Sequence, residues 1–361
     1  MKSNRGNQAV TRTQVAIGIV LIVIVVCAIV AYLYYYPPSP PPEEEEEIVF
    51  RWSSGDTIMT IDPCICYDYP STITVQNIYD PLFMPSEEPP FEPIPWVAES
   101  YDVSADGLKY TIRIRKGLKF HDGTEITAED VAFSMERFLL MKTGHARFWL
   151  GFVENINVID DYTVEFELSR PHNALIPSFT KLLIMNKDLL LENKREGDYG
   201  EYGDLGRAWL AEGHDAGSGP YMVVSYSPDE GVELVKFEDY WKGWKPNQID
   251  RIIIKVITEE ATNKMLLAAG DLDMLHAFLS PTTYLELAEL PGIEVSHGPT
   301  INWEPICMNT RKPPLDDVHV RRAIMYAIDY EAIVTNVFPY GEIGSSIIPP
   351  GVFGHNPNIP K

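Results

Sequence analysis

An uninterrupted apolar segment near the amino terminus constrains this chain more than any other feature. Residues 15–36 carry no charge, and Gly18 is the only one of these 22 residues outside the apolar set. A helix of that length rises about 1.5 Å per residue and spans roughly 33 Å, enough to cross a bilayer core. A cleavable signal peptide is usually shorter and ends in small residues, whereas this segment ends in tyrosines. We therefore predict an uncleaved transmembrane anchor.

The charges on either side of this anchor predict its orientation. Lys2, Arg5 and Arg12 precede it, and no acidic residue does. Positive residues stay on the cytoplasmic side, so residues 1–14 are expected in the cytoplasm and the bulk of the chain outside the cell. Residues 37–47 combine prolines with five consecutive glutamates, which indicates an extended stalk. The predicted location is the cell membrane, with a single pass.

The composition of the remainder is that of a folded, acidic protein. Apolar residues make up 45% of the chain and charged residues 22%, which is normal for a globular domain. The formal net charge is −23. Such a surface repels nucleic acid, so no nucleic-acid partner is expected.

Two segments alternate between apolar and polar residues and predict half-buried antiparallel strands. They are residues 108–115 and residues 162–168. Between them Thr127 is predicted to begin a helix, because Glu129 and Asp130 would lie in its positive first turn. Further strands are predicted at residues 221–226, 232–237 and 251–257, and further helices at residues 259–269 and 282–289. The mixture indicates the α/β class.

The longest helix is predicted over residues 318–337. Its apolar residues recur at helical spacing and are expected to face inward. These residues are Val320, Ile324, Ala327, Ile328 and Ile333.

Catalytic motifs are absent from the sequence. There is no Gly-x-Ser-x-Gly, no phosphate-binding loop and no His-Glu-x-x-His. The sequence His121-Asp122-Gly123 is interpreted as a turn, because Asp-Gly is a turn signal, rather than as a metal or acid–base site. We therefore predict a protein that is not an enzyme, with no catalytic residue, no cofactor and no metal site.

Three cysteines lie in the predicted ectodomain. Cys64 and Cys66 are one residue apart, and Cys307 is far downstream. Zinc sites usually have wider spacing and four ligands, so a metal site is disfavoured. An extracellular location permits a disulfide from Cys307 to either Cys64 or Cys66. Free or simply buried thiols remain the alternative.

A series of short motifs runs in order along the ectodomain. The motifs are TIDP at 60–63, NIYDPLF at 77–83, the stretch from Trp96 to Arg137, GSGPY at 217–221, YWKG at 240–243, AAGDLDM at 268–274, MNTRKPPLDDVHVRRAIMYAIDYEAI at 308–333 and IPPG at 348–351. Together they resemble the family 5 extracellular solute-binding proteins of peptide and nickel ABC importers.

This resemblance implies a two-lobed clamshell of the type II periplasmic-binding-protein kind. Residues 48–75 and 183–301 would form the main lobe, residues 76–182 an extra domain of that lobe, and residues 302–361 the start of a second lobe. Members of the family continue well past the IPPG element. The resemblance therefore implies a second lobe that is truncated at its carboxyl end, with a separately encoded remainder as a possible partner.

The resemblance also implies a function and a set of binding residues. The chain would bind di- or oligopeptides outside the cell and deliver them to the permease subunits of an ABC importer. Gly217 and Gly219 would be structural turn residues. The cleft candidates are Tyr67, Tyr69, Phe148, Trp149 and Trp303. Two alternatives remain open: the same fold binding an oligosaccharide or a nickel complex, and an inactive or accessory fragment of a split solute-binding protein.

Overall fold

The chain forms two compact units, Met1–Glu46 and Glu47–Lys361. The computed structural model describes residues 25–27, 29, 31–32, 34–35, 47–87, 91–276, 279–296, 304–338, 341–344, 346, 348–349, 352, 355–356 and 358. In the first unit the described residues are helical. No helix among the described residues is both long and apolar enough to cross a bilayer. Most of the predicted anchor, residues 15–36, lies outside the described residues.

A five-stranded mixed sheet forms one layer of the second unit, in the order β11-β1-β10-β9-β8. Strands β11, β1 and β10 run parallel, and β10, β9 and β8 run antiparallel. The strands are β1 (Val49–Ser53), β8 (Tyr221–Ser227), β9 (Gly231–Lys236), β10 (Arg251–Lys255) and β11 (Met274–Leu275). The three strands predicted between residues 221 and 257 are confirmed.

A four-stranded antiparallel sheet has the order β4-β5-β7-β6. In β5, Tyr110 and Ile112 lie opposite Phe166 and Val164 of β7, and all four side chains are buried. The two alternating patterns are therefore confirmed as strands with one buried face. The strands are β4 (Ala98–Val103), β5 (Lys109–Ile114), β6 (Val153–Asp160) and β7 (Thr163–Leu168), and a separate hairpin pairs β2 (Phe83–Pro85) with β3 (Pro93–Pro95).

Nine described α-helices accompany the two sheets. They are α1 (Tyr69–Ile78), α2 (Ala128–Met141), α3 (Leu175–Ser178), α4 (Lys187–Glu192), α5 (Arg207–Ala211), α6 (Glu260–Ala269), α7 (Pro281–Ala288), α8 (Val318–Ala327) and α9 (Tyr330–Asn336). Short 3-10 helices lie at Gly144–Phe148, Phe179–Lys181 and Gly200–Tyr202. The α/β class is thereby confirmed.

Helix α2 begins after Thr127, as predicted, and packs its apolar face into the core. The carboxylate of Asp130 accepts hydrogen bonds from the backbone N–H and the hydroxyl of Thr127, each at 2.9 Å. The other oxygen of Asp130 accepts from the backbone N–H of Lys187 at 3.0 Å. One buried side chain thus satisfies donors at the amino-terminal ends of both α2 and α4.

The prediction of a single helix over residues 318–337 is wrong. The chain leaves the helical conformation at Ile328, and the Asp329 carboxylate accepts a hydrogen bond from the Ala332 N–H at 2.9 Å. This cap begins a second helix, so α8 and α9 are separate and α2 is the longest described helix. Ala327, which was predicted to face inward, is exposed.

Burial is concentrated in the earlier part of the second unit. Leu287 is the last buried residue among those described, and α8 and α9 contain none. The five-stranded sheet uses residues 49–53 and 221–275, and the four-stranded sheet uses residues 98–168. The lobe boundaries inferred from the sequence stay a prediction, because Glu47–Lys361 forms one compact unit.

Candidate functional site

A buried ion pair fixes the loop that precedes α1. Arg137 on α2 donates from its two terminal nitrogens to the two carboxylate oxygens of Asp62, at 2.5 and 2.7 Å. Its Nε donates to the carbonyl of Leu205 at 3.0 Å. Asp62 also accepts from the backbone N–H of Cys64 at 2.9 Å. Because both charged side chains are fully buried or nearly so, this bidentate pair holds the loop against α2.

The segment that follows α2 approaches the same loop closely. The hydroxyl of Thr143 donates to the carbonyl of Cys64 at 2.8 Å. Gly144 has a φ of +51°, and a Cβ at this position would lie 2.7 Å from the Cys64 carbonyl oxygen. The position therefore requires glycine on two grounds, conformation and space. The 3-10 helix Gly144–Phe148 consequently starts directly beside the loop.

Four side chains from these two segments form what we term the Arg147 cluster: Tyr67, His145, Arg147 and Phe148. The Arg147 guanidinium lies 5.0 Å from the Tyr67 ring centre and 5.2 Å from that of Phe148. It donates to the Tyr67 hydroxyl at 3.1 Å. The His145 and Phe148 rings stack at 5.9 Å with an interplanar angle of 10°. The cluster thus presents a cation framed by aromatic faces.

The electrostatics of the cluster favour an anion. Burial, together with the positive charges of Lys181 and Arg147, lowers the pKa of His145 to about 4, so this imidazole is neutral at pH 7. In the part of the chain that the structure describes, neither Arg147 nor Lys181 forms an ion pair with a carboxylate. Arg147 is exposed, and its guanidinium N–H groups that do not bond to Tyr67 can donate to a planar carboxylate.

The predicted cleft residues fall into different environments. Tyr67 and Tyr69 are 62% and 44% exposed and flank Asp68, whose carboxylate accepts from the Ser71 N–H and caps α1. Phe148 is half-buried within the Arg147 cluster. These three side chains are accessible to a solute, and Tyr67 and Phe148 contact the same guanidinium.

Trp149 and Trp303 are the remaining two predicted cleft residues. Trp149 is fully buried, its indole N–H donates to the Ser178 hydroxyl at 2.9 Å, and its ring packs edge-on against Phe138 at 5.1 Å. The prediction of Trp149 as a ligand contact is therefore wrong, because no part of its ring is accessible. Trp303 lies outside the described residues.

Gly217 and Gly219 have a structural role through close backbone approach. A Cβ on Gly217 would lie 2.0 Å from the Ile78 carbonyl oxygen, and one on Gly219 would lie 2.7 Å from that of Asn77. The Gly219 N–H donates to the Ile78 carbonyl at 2.8 Å. The loop before β8 therefore lies directly against the end of α1, with no room for side chains.

The disulfide predicted between Cys307 and Cys64 or Cys66 is not formed in this structure, where all three thiols are free. Cys64 and Cys66 are buried in the core, whereas Cys307 is exposed. Burial raises the pKa of the Cys66 thiol to about 12 and that of Cys64 further, which keeps both protonated. No group of three His, Cys, Asp or Glu side chains within the described residues is arranged to hold a metal ion.

His145 and Arg147 were not among the residues predicted from the sequence. Both lie in the hexapeptide Gly144-His-Ala-Arg-Phe-Trp149, where two basic residues separated by an alanine directly precede two aromatic residues. That grouping of basic and aromatic residues is the signal that could have identified them.

Comparison with known proteins gives a consistent assignment. The profile of the bacterial extracellular solute-binding proteins, family 5 Middle, matches residues 92–361. Heme-binding protein A of Haemophilus influenzae is 28% identical over 73% of this chain and 50% of its own length. The dipeptide-binding protein of Escherichia coli K12 is 28% identical over 74% of this chain and 52% of its own length. The chain thus spans about half the length of these curated relatives.

The fold agrees with that assignment. The structure of DppA from Helicobacter pylori, an ABC transporter-associated periplasmic binding protein in complex with the peptide STSA, superimposes with a TM-score of 0.72. It is 26% identical, and the match covers 89% of this chain and 64% of that one. The family profile extends over most of the sequence and includes both Arg147 and the motifs noted above, from Trp96 onward. This chain therefore belongs to family 5 of the bacterial extracellular solute-binding proteins.

Proposed function

We propose that this chain is the extracytoplasmic substrate-binding component of an ABC importer and that it binds di- or oligopeptides for delivery to the permease. Family membership over residues 92–361 is the observation that carries this proposal. Peptide as the solute is supported by the names of two relatives, a dipeptide-binding protein and a DppA bound to a tetrapeptide. The fold would be the two-lobed clamshell of this class, with the solute bound between the lobes.

The Arg147 cluster gives this proposal a specific binding contact. A peptide has a carboxylate at one end, and a guanidinium recognises a carboxylate through two parallel hydrogen bonds. Tyr67 and Phe148 hold the Arg147 side chain in place, because both rings contact its charged group. We infer that Arg147 pairs with an acidic group of the solute, with Tyr67 and Tyr69 covering the adjacent apolar part.

Calorimetric titration of the full-length chain in detergent tests this contact. The titrants are a dipeptide panel and Ser-Thr-Ser-Ala, each with a free and with an amidated carboxyl end, at concentrations up to millimolar. Loss of a charged hydrogen bond costs about 1.5–3 kcal/mol, so Arg147→Gln is expected to weaken binding of free-acid peptides by roughly 10- to 150-fold. The amidated peptides should bind weakly to the unaltered chain and lose little more in the variant.

Arg170 provides a matched control, because it is another exposed arginine and stacks on Phe152 at 4.5 Å. Arg170→Gln should leave peptide binding unchanged. An equal loss with free-acid and amidated peptides in Arg147→Gln would contradict the carboxylate contact but not the peptide-binding function. Absence of saturable binding for every peptide would contradict the function itself and favour an accessory role.

A second candidate solute is heme, because a relative of comparable similarity is a heme-binding protein. Heme carries two propionate groups and a large apolar ring, which the Arg147 cluster could accommodate through its guanidinium and its aromatic faces. Titration of the same chain with heme, followed by its Soret absorption, distinguishes the two. If heme displaces bound peptide, and the chain does not distinguish free-acid from amidated peptides, heme would replace peptide as the proposed solute.

We further propose that residues 15–36 anchor the chain in the cell membrane with the second unit outside. The uncharged segment, the three basic residues before it and the proline-rich stalk after it support this topology. Protease added to intact cells is expected to remove the part after residue 47. Protection of that part, or a mature chain that begins between residues 30 and 40, would contradict the anchor.

A further inference from the structure

A buried carboxylate connects the two sheets of the second unit. Asp80 follows α1, and one of its oxygens accepts from the Trp96 indole N–H at 2.7 Å and from the Tyr240 hydroxyl at 3.0 Å. The other oxygen accepts from the Ser218 hydroxyl at 3.3 Å. Trp96 precedes β4 of the four-stranded sheet, whereas Ser218 precedes β8 and Tyr240 follows β9 of the five-stranded sheet. Asp80 therefore lies at the junction of the two layers.

The partners of Asp80 are all neutral, although the side chain is only 2% exposed. Two cations lie nearby, but they contact the indoles instead. Lys242 lies over the Trp96 and Trp241 rings at 4.0 and 4.6 Å, and Arg115 donates to the Trp96 carbonyl at 2.8 Å. Neither forms an ion pair with Asp80 within the described part of the chain. A buried carboxylate without a cationic partner carries an uncompensated charge.

The other titratable groups around the junction are paired with each other or are neutral. His121 contacts the Asp215 carboxylate at 2.6 Å through Nδ1 and the Gly219 carbonyl at 3.0 Å through Nε2. Hydrogen bonds from His121 and from two backbone N–H groups outweigh burial and lower the pKa of Asp215, so this acid stays ionised. Burial raises the pKa values of Tyr79 and Tyr240, so both phenols stay protonated. Asp80 is thus the buried carboxylate at this junction whose hydrogen-bond partners include no cation.

We propose that Asp80 makes the junction between the two sheets sensitive to external pH. When protonated, Asp80 is a neutral group that still accepts hydrogen bonds from Trp96 and Tyr240 and that donates its own O–H to the Ser218 hydroxyl oxygen. When ionised, it places an unpaired charge between the two sheets. The two sheets are therefore held together most strongly in acidic medium. Helix α1 extends from beside Tyr67 to this junction, so the same element contacts both regions.

The sign of the pH effect follows from burial. Desolvation raises the pKa of Asp80 from its ordinary 3.8 to about 6, against the opposing effect of its hydrogen bonds. The folded chain therefore holds a proton that the unfolded chain has already released. The resulting stabilisation is complete below about pH 4 and is lost as the pH rises through 6.

Asp80→Asn isolates this effect, because asparagine is neutral and can keep all three hydrogen bonds. The full-length chain and the variant are compared in detergent by urea unfolding from pH 4.5 to 7.5. The ratio of their unfolding equilibrium constants, unaltered chain over variant, should rise by more than about tenfold over this range. Asp161→Asn alters an exposed aspartate, so its unfolding equilibrium constant should depend on pH in the same way as that of the unaltered chain.

A second measurement does not depend on how well the variant folds. The indole N–H of Trp96 donates to Asp80, so the chemical shift of its NMR signal reports the charge of Asp80 directly. This signal is assigned by its absence from the spectrum of the Trp96→Phe variant. In the unaltered chain this signal should shift with a midpoint near pH 6. A Trp96 signal that does not titrate between pH 4.5 and 7.5, or a stability ratio that is independent of pH, overturns the proposal.

Discussion

The Asp62–Arg137 pair shows what a single interaction contributes to the candidate site. The two residues are 75 positions apart, and no local pattern in the sequence indicates that they meet. Their pairing fixes the loop that carries Tyr67, while the residues after α2 carry Arg147. The position of the Arg147 cluster therefore depends on a buried ion pair rather than on the cluster's own exposed contacts.

Removing one partner of this pair is expected to be costly. Arg137→Met leaves the Asp62 carboxylate buried and uncompensated, so the free energy of unfolding should fall by about 3–5 kcal/mol in urea titrations. Adding Asp62→Asn to this variant should restore part of the loss, because no buried charge remains. Arg195→Met breaks an exposed pair with Glu212 and should cost less than about 1 kcal/mol. Similar losses for Arg137→Met and Arg195→Met would contradict the importance assigned to the buried pair.

Periodicity predicted the regular elements wherever one face of an element packs against the core. The strands β5 and β7 and the helix α2 have apolar residues at the spacing of their own geometry, and all three are found where expected. The prediction failed between α8 and α9. There the helical spacing of apolar residues continues through the break, although the backbone is extended at Ile328 and the carboxylate of Asp329 caps the second helix.

Two neighbouring acidic residues in the first turn of helix α2 allow a test of what fixes the start of this helix. Asp130→Ala removes the acceptor for Thr127 and for the Lys187 N–H, leaving half-buried donors unsatisfied, and should cost about 1–3 kcal/mol of unfolding free energy. Glu129→Ala lies in the same first turn but affects an exposed ion pair with Lys187, so its cost should be below about 1 kcal/mol. Equal effects of the two substitutions would show that Asp130 does not connect the two helices.

Across the whole chain, the pattern of predicted strands and helices identified the α/β class, and the resemblance to the family gave Tyr67 and Tyr69 as cleft candidates, but neither identified Arg147. Exposed charged residues follow no packing periodicity, so their grouping becomes visible only when two distant loops meet. Trp149 was misassigned for the opposite reason. A tryptophan that lines a cleft and one that fills a core look the same in a sequence, and only the accessible area distinguishes them.

The uneven burial of the second unit predicts where a protease cuts first. No described residue beyond Leu287 is buried, and Arg311 and Arg322 are exposed. Segments with few buried contacts open at low free-energy cost. Brief trypsin digestion of the full-length chain is expected to cleave within residues 311–322 before it cleaves the four-stranded sheet, as read by mass spectrometry of the fragments. Initial cleavage at Arg113 in β5 would be incompatible with this order.

The contact between Gly217–Gly219 and the end of α1 has a consequence for recombination between relatives. Two stretches of main chain meet there without intervening side chains, so neither stretch can adjust to a foreign partner by changing a rotamer. A hybrid that takes the four-stranded sheet from one homologue and the five-stranded sheet from another must therefore inherit Asn77–Ile78 and the glycine loop from parents with the same backbone path. Crossover points placed in the exposed loops elsewhere have no such requirement.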